Sequence, residues 1–255
     1  MTHLSLFSGV GGLDIAAQWA GFRTVGLCEY ADYPYRVLQK RFPGVPIWRD
    51  IRTLTGDDFR DKAGVKKPTV VSGGFPCQPH SLAGKRLASH DERDLWSELL
   101  RVFCETGAEW LVAENVRGLL SSENGRFFGR ILGDLANIGC DVWWYCFPAH
   151  AAGAPFWGER VAVVASSNRV GRERSIERVP PLPEWRGRIA EIRTSQSRYW
   201  EYNISEPCIC RKDDGFARGV DRLRCLGNAV VPAQFYPIFA AIAEATEDGK
   251  NEKRN

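Results

Sequence analysis

The sequence predicts an α/β protein with a doubly wound, mainly parallel sheet. Short apolar segments alternate with segments of helical apolar spacing up to about residue 166. Strands that alternate with helices indicate a parallel sheet covered on both faces. The 255 residues are enough for one large domain, or for a large and a small one. In such a sheet the functional residues are expected at the carboxyl ends of the strands.

The individual elements follow from apolar periodicity and from turn residues between the periodic segments. Strands are expected at residues 4–7, 24–28, 69–72, 110–113, 142–147 and 161–166. Helices are expected at residues 13–20, 33–41, 95–104, 127–138 and 234–245.

A change in composition after residue 166 predicts a second, smaller region. Apolar periodicity weakens there, arginines accumulate, and a proline-rich run interrupts the chain at 180–183. We expect residues 1–166 and 224–247 to form the main domain and residues 167–223 a small irregular domain. Residues 248–255 are polar and charged, and we expect them to be a disordered tail.

Charge and cysteine usage restrict the class of protein. The net charge of +3 is only weakly basic, and the eight cysteines are dispersed. No signal peptide precedes the first strand, and no apolar run reaches membrane-spanning length, so we expect a cytoplasmic protein with free thiols. Cys208 and Cys210, with Cys225 as a third ligand, could suggest zinc, but the spacing is wrong for a zinc knuckle and no fourth ligand is evident. No metal is therefore expected.

A glycine-rich turn between the first strand and the first helix suggests a nucleotide site. Gly9, Gly11 and Gly12 would let the backbone approach a ligand closely at the helix N-terminus. Glu29 ends the second strand about twenty residues later, which is the spacing expected of an acid that binds a ribose. By itself this pattern fits NAD, FAD or S-adenosylmethionine, and also a tight turn with no ligand.

A nucleophile and an acid are suggested at the ends of two further strands. Cys77 lies in the sequence GFPCQP at 74–79, where the chain must turn, and Glu114 lies in AENV at 113–116. An exposed cysteine with a lowered pKa is a strong nucleophile. The alternatives are a buried structural cysteine and a carboxyl that only caps a helix. We assign the buried structural role to four other cysteines: Cys28, Cys104, Cys140 and Cys146.

Taken together, these motifs resemble those of the DNA (cytosine-5)-methyltransferases of the prophage or restriction-modification type. The resemblance covers about residues 3–166 and 224–245. It implies the S-adenosylmethionine-dependent methyltransferase fold, with residues 1–166 and 224–247 as the catalytic domain and residues 167–223 as the target-recognition domain. It also implies methyl transfer from S-adenosylmethionine to C5 of cytosine in a specific sequence of double-stranded DNA.

The same resemblance implies catalytic roles. Cys77 would add to C6 of a cytosine flipped out of the duplex, while Glu114 holds N3 and the exocyclic amine. C5 would then attack the methyl group on the sulfonium, and elimination of Cys77 would restore the ring. Arg160 would hold the cytosine oxygen and the acid. Asn115 would anchor the backbone around Cys77, next to the stiff Pro76.

Binding roles are implied in the same way. Phe7 would stack near adenine, Glu29 would bind the ribose hydroxyls with Tyr30 beside it, and Asp50-Ile51 would meet the adenine. The implied cofactor contacts are Phe7, Ser8, Gly9, Gly11, Gly12, Leu13, Glu29, Tyr30, Asp50, Ile51, Asn228 and Val230. The implied DNA contacts, in a loop that closes over the duplex, are Gln78, Ser81, Lys85 and Arg86.

One departure from the family pattern leaves alternatives open. Gly158 stands where the family usually has an arginine, two residues before Arg160. The alternatives are a transfer-RNA cytosine-5 methyltransferase, whose characteristic Cys-Phe-Thr run we do not find, and a catalytically silent DNA-binding homologue. We expect a monomer that acts on double-stranded DNA, with a cognate restriction endonuclease as one conceivable partner. Protection from such a nuclease, disguise of phage DNA and gene regulation are all compatible purposes.

Overall fold

The computed structural model describes residues 1–76, 95–154, 157–167 and 230–251. Several predicted site residues lie outside these ranges: Cys77, Gln78, Ser81, Lys85, Arg86 and Asn228. The predicted target-recognition domain, 167–223, lies outside them as well, except for its first residue.

A seven-stranded sheet forms the centre of the molecule, in the order β3-β2-β1-β4-β5-β7-β6. The strands are β1 Thr2–Leu6, β2 Arg23–Cys28, β3 Ile47–Trp48, β4 Val70–Gly74, β5 Trp110–Val116, β6 Cys140–Pro148 and β7 Glu159–Ser167. Every pairing is parallel except those of β7, which runs antiparallel to both of its neighbours. The predicted doubly wound, mainly parallel sheet is confirmed.

Six α-helices are described: α1 Gly12–Trp19, α2 Asp32–Arg41, α3 Gly56–Ala63, α4 Trp96–Thr106, α5 Arg126–Asn137 and α6 Pro232–Asn251. Three 3-10 segments join them, at Ile51–Thr53, Arg117–Gly125 and Ala149–Ala152.

The sheet buries a hydrophobic cluster on each face. The first contains Phe59, Leu99 and Ile131, from α3, α4 and α5. The second contains Ala16 and Phe239, from α1 and α6. Because both faces are covered, the central strands β1, β4 and β5 are buried along most of their length.

Several features differ from the expectations. β3 and α3 were not predicted, because β3 has two residues and α3 is mostly charged, burying only Gly56 and Phe59. Two of the four cysteines expected to be buried are not: Cys104 is exposed on the outer face of α4, and Cys146 on β6 is half-buried. The helix α6 continues through residues 248–251, where we expected the disordered tail to begin. An established helix can propagate through polar residues, since each further residue adds a hydrogen bond without a new nucleation cost.

A fully buried polar cluster joins β1, β4 and α1. His3 Nε2 lies 2.7 Å from Ser72 Oγ, and Ser5 Oγ donates to Asp14 Oδ2 at 2.9 Å. His3 Nδ1 and Asp14 Oδ1 are 3.5 Å apart. Burial lowers the pKa of His3 to about 3 and raises the pKa of Asp14 to about 7.

Among the described residues, no helix combines the length and the apolar character needed to cross a bilayer.

Candidate active site

The predicted site residues converge where the parallel strands β1, β2, β4 and β5 end. The sheet register pairs Leu6 with both Cys28 and Gly73, and Gly74 with Glu114. The residues that follow these strands therefore lie at one edge of the sheet, as is usual for ligand sites in open α/β folds.

Glu114 is a buried acid paired with the partly buried guanidinium of Arg160. The residue is 7% exposed, and Arg160 Nε lies 2.9 Å from its Oε1 in an ion pair. Burial raises the pKa of the Glu114 carboxyl to about 7, although the charge of Arg160 acts to lower it. A carboxyl with this pKa can be protonated near neutral pH, so Glu114 can donate a hydrogen bond to a ring nitrogen.

Gly74 leaves the space that the Glu114 carboxyl occupies. A Cβ added at Gly74 would lie 2.6 Å from Glu114 Oε2. Real Cβ atoms essentially never come that close to another heavy atom, so any larger residue here would displace the acid. The sequence indicated a turn at this glycine but gave no signal of its packing against the acid.

Asn115 anchors the chain just before Cys77. Its Nδ2 donates to the carbonyl oxygen of Phe75 at 2.9 Å, and its Oδ1 accepts from its neighbour's N–H on β5. Phe75 is buried and packs against Trp96, with ring centroids 5.3 Å apart. Pro76 is exposed and ends the described range. Asn115 therefore holds the backbone of Phe75, two residues before Cys77 in the chain.

The glycine turn is held to the neighbouring strand by Ser8. Its N–H donates to Cys28 O at 3.0 Å, and its hydroxyl lies 3.3 Å from both Cys28 N and Cys28 O. Gly11 N donates to Ser8 O at 2.9 Å. Phe7 has a φ of 51°, a left-handed conformation that costs a residue with a side chain about 1–2 kcal/mol. Strain of this kind is typical of functional sites.

Glu29 faces the glycine turn. Its carboxylate accepts from Gly9 N at 2.8 Å and from Ala31 N at 2.7 Å. Burial raises the pKa of Glu29, and these backbone N–H groups partly offset the effect. A carboxylate has about four acceptor positions, so it can accept two further hydrogen bonds, as a ribose diol would donate.

The next predicted cofactor residues, Tyr30, Asp50 and Ile51, differ in their exposure and in their contacts. Tyr30 is 75% exposed, and its carbonyl oxygen accepts from Arg49 Nη2 at 2.6 Å. Asp50 caps the 3-10 segment through Arg52 N, at 3.0 Å. Ile51 is buried, so its side chain belongs to the core.

Val230 packs against the start of α1. A Cβ added at Gly12 would lie 2.5 Å from Val230 O, so only glycine allows this contact. Leu13, next along α1, is buried in the second hydrophobic cluster. The segment before α6 therefore lies against the glycine turn.

These residues fit a nucleoside with a ribose diol. Glu29 supplies spare acceptors, Gly9 has a φ of 56° with open space beyond its Cα, and Tyr30 offers an exposed ring. No group of His, Cys, Asp and Glu suited to a metal occurs in the described part of the chain.

Sequence motifs missed one buried polar residue next to this site. Gln234, at the start of α6, is 2% exposed, and its Nε2 donates to Phe147 O and to Gly158 O, each at 3.1 Å. A glutamine in an apolar helix has no distinguishing signal in the sequence, because its partners are backbone oxygens far along the chain.

Several sequence relatives of this chain are named type II methyltransferases. The type II methyltransferase M.AquIA of Picosynechococcus is 34% identical over 181 residues, covering 66% of this chain and 72% of that protein. M.BsuFI of Bacillus subtilis is 30% identical over 165 residues, covering 64% of this chain. M.NgoMIV of Neisseria gonorrhoeae is 32% identical over 168 residues, covering 66% of this chain. The chain spans only 39% of M.BsuFI and 52% of M.NgoMIV.

Solved structures share the fold. An E. coli prophage-encoded protein, described as a DNA modification methyltransferase, superimposes with a TM-score of 0.60 at 23% identity, over 71% of this chain and 51% of that one. S. pombe Dnmt2 methyltransferase superimposes with a TM-score of 0.55 at 23% identity, over 70% of this chain and 54% of that one. The family model of C-5 cytosine-specific DNA methylases matches residues 1–207. The chain thus belongs to the C-5 cytosine-specific DNA methylase family.

Proposed function

We propose that this chain transfers a methyl group from S-adenosylmethionine to C5 of cytosine in a specific sequence of double-stranded DNA. The observation that supports this most directly is the ion pair of the buried Glu114 with Arg160, next to Asn115, which binds the backbone of Phe75 two residues before Cys77. An acid with a pKa of about 7 suits hydrogen bonding to a pyrimidine ring while a thiolate attacks that ring.

The proposed reaction has two steps that depend on a proton: the addition of Cys77 to the ring and its later elimination. The Cys77 thiolate adds to C6 of the flipped cytosine, while protonated Glu114 donates to N3 and makes the ring more electrophilic. This addition turns C5 into a nucleophile. After C5 gains the methyl group, it loses its proton to solvent, the C6–S bond breaks, and the thiolate leaves with its electron pair. Arg160 orients the acid and can donate to the cytosine oxygen.

The proposed cofactor site is the turn between β1 and α1. Glu29 would bind the ribose hydroxyls with its free acceptor positions, and Tyr30 and Phe7 would offer rings to the base. Asp50 would contact the adenine with its side chain. Gly9, Gly11 and Gly12 would let the backbone approach the ligand. S-adenosylmethionine, when bound, supplies an electrophilic methyl group.

The proposed DNA contacts come from residues outside the described ranges. Gln78, Ser81, Lys85 and Arg86 would meet the duplex near the extruded base, with the two cations suited to phosphates. Residues 167–223 would form the target-recognition domain, because arginines interleaved with aromatic residues suit phosphates and guanine edges. We also propose a monomer acting in the cytoplasm.

A covalent trapping experiment tests the proposal. The purified chain is incubated with S-adenosylmethionine and a plasmid-derived duplex in which 5-fluorocytosine replaces cytosine. Fluorine cannot leave C5 as a proton does, so the Cys77 adduct should persist and be found by mass spectrometry on the peptide that contains Cys77.

Cys77→Ser and Glu114→Gln are the control variants. The first should give no adduct, and the second should give it much more slowly. A folded wild-type chain that binds S-adenosylmethionine but forms no adduct would contradict the proposal. It would favour an RNA substrate or a catalytically silent homologue.

A further inference from the structure

A single buried amide connects α6 to the strand that provides Arg160. Gln234 lies in the first turns of α6, and both protons of its Nε2 are used, one on Phe147 O of β6 and one on Gly158 O before β7. The side chain is almost completely buried. One partner lies on β6 and the other immediately precedes β7, so one amide links the two segments.

Gly158, one of the two partners of Gln234, has an unusual backbone conformation. Gly158 has a φ of 42°, in the left-handed region that favours glycine. Ala149 N also donates toward this segment, at 2.7 Å to Trp157 O and 3.2 Å to Gly158 O. The family's usual arginine is missing here, and the described contacts at this position are made by the backbone.

The sheet register relates this backbone to the active site. Phe147 is paired with Arg160 across β6 and β7, and Val116 is paired with Arg160 across β5 and β7. Gln234 therefore binds the carbonyl of Phe147, which lies opposite Arg160, and the carbonyl of Gly158, which lies two positions before Arg160 in the chain. A shift of either strand would move the guanidinium that lies on Glu114.

We propose that Gln234 is a positioning residue of the active site, whose amide fixes the backbone around Gly158 and Phe147 and so holds Arg160 on Glu114. Its catalytic consequence rests on the proposed methyl transfer, but its structural consequence does not. Of the charged side chains in the described part of the chain, Arg160 is the one that acts on Glu114. The ionisation of Glu114 therefore reports directly on the position of Arg160.

A matched pair of substitutions on α6 tests this role. Gln234→Met keeps the volume of the side chain but removes both hydrogen bonds. Thr246→Val is the control, because the Thr246 hydroxyl is equally buried and bonds only within the helix, to Ile242 O at 2.7 Å. Both variants lose a buried hydrogen bond on α6, but only Gln234 contacts β6 and β7. Gln234→Asn, which is too short to reach both carbonyls, serves if the Met variant does not fold.

The first measurement is independent of activity. The Glu114 carboxyl is titrated by carbon NMR in protein labelled with ¹³C-glutamate, with the signal assigned through Glu114→Gln. In Gln234→Met its midpoint should rise by about one pH unit or more above the wild-type value, because the nearby cation is displaced. Thr246→Val should leave the midpoint unchanged. An unchanged midpoint in both Gln234 variants would overturn the inference.

The second measurement is the pH dependence of methyl transfer to plasmid DNA. Gln234→Met should lower kcat about tenfold, leave the KM for S-adenosylmethionine within about twofold, and move the Glu114 limb of the profile upward. An equal loss of activity in Thr246→Val would overturn the inference, because it would reflect stability alone. If the NMR midpoint moves while the wild type transfers no methyl group, the positioning role stands and the proposed function fails.

Discussion

Substitution of Gly74 by alanine tests how closely the position of Glu114 controls the reaction. The added Cβ would lie 2.6 Å from Glu114 Oε2, which is roughly 0.8 Å short of ordinary contact. The carboxyl has little freedom to yield, because Arg160 holds its other oxygen at 2.9 Å and the residue is 7% exposed. The acid should therefore move by several tenths of an ångström, away from the space in front of β4.

The size of the effect follows from this displacement. Misplacing a catalytic group by about 1 Å can cost about 100-fold in rate, so Gly74→Ala should lower kcat by about 10- to 100-fold. Overpacking of this kind typically costs about 1–3 kcal/mol of stability, which leaves most of the protein folded. The affinity for S-adenosylmethionine should stay within about twofold, because Glu29 and the glycine turn are untouched.

The assay is single-turnover methyl transfer to plasmid DNA, with cofactor affinity measured separately by calorimetry. Gly133→Ala is the control, because a Cβ at this position on α5 meets nothing within 4 Å. The control should retain wild-type rates. A Gly74→Ala variant with kcat within twofold of wild type would show that catalysis tolerates displacement of the acid, contrary to this prediction.

Three further predictions concern the residues around the site. Gly158→Ala should lower the free energy of unfolding by about 1 kcal/mol because φ is 42°; a stability equal to wild type in urea denaturation would contradict this. Glu29→Gln should weaken S-adenosylhomocysteine binding at least about tenfold in calorimetry, because an amide has fewer acceptor positions for a ribose diol; a dissociation constant within twofold would argue against a ribose site. The pKa of Asp14 is raised to about 7, so its protonated form contributes stability that is lost as pH rises toward that value. The pKa of His3 is lowered to about 3, so its neutral form contributes stability that is lost as pH falls from 6.5. Between pH 4 and 6.5, urea denaturation should therefore show stability falling with acid in Asp14→Asn and falling with base in His3→Gln; equal slopes in the two variants would contradict the assignment.

The sequence predicted the long elements because their apolar periodicity is strong. The predicted helix at residues 33–41 and the observed α2, Asp32–Arg41, differ by one residue at the start. The two-residue β3 has no period to detect, and α3 is charged along most of its length. Such short elements depend on tertiary contacts, which no local pattern encodes.

The site was predictable where motifs mark it and unpredictable where packing builds it. Glu114 and Asn115 lie at the sheet edge that their motif indicated, and Glu29 meets the glycine turn. The roles of Gly74 and Gln234 depend on residues distant in the chain, so the sequence alone could not show them. The pKa of Glu114 likewise comes from burial, which appears only after folding.

The most direct test of the proposed function is bisulfite sequencing of plasmid DNA from cells that express the chain, beside cells that express Cys77→Ser. Methylated cytosines are expected at one recurrent sequence with the wild-type chain and at none with the variant. A folded wild-type chain that binds S-adenosylmethionine but leaves the plasmid unmethylated would contradict the proposed function.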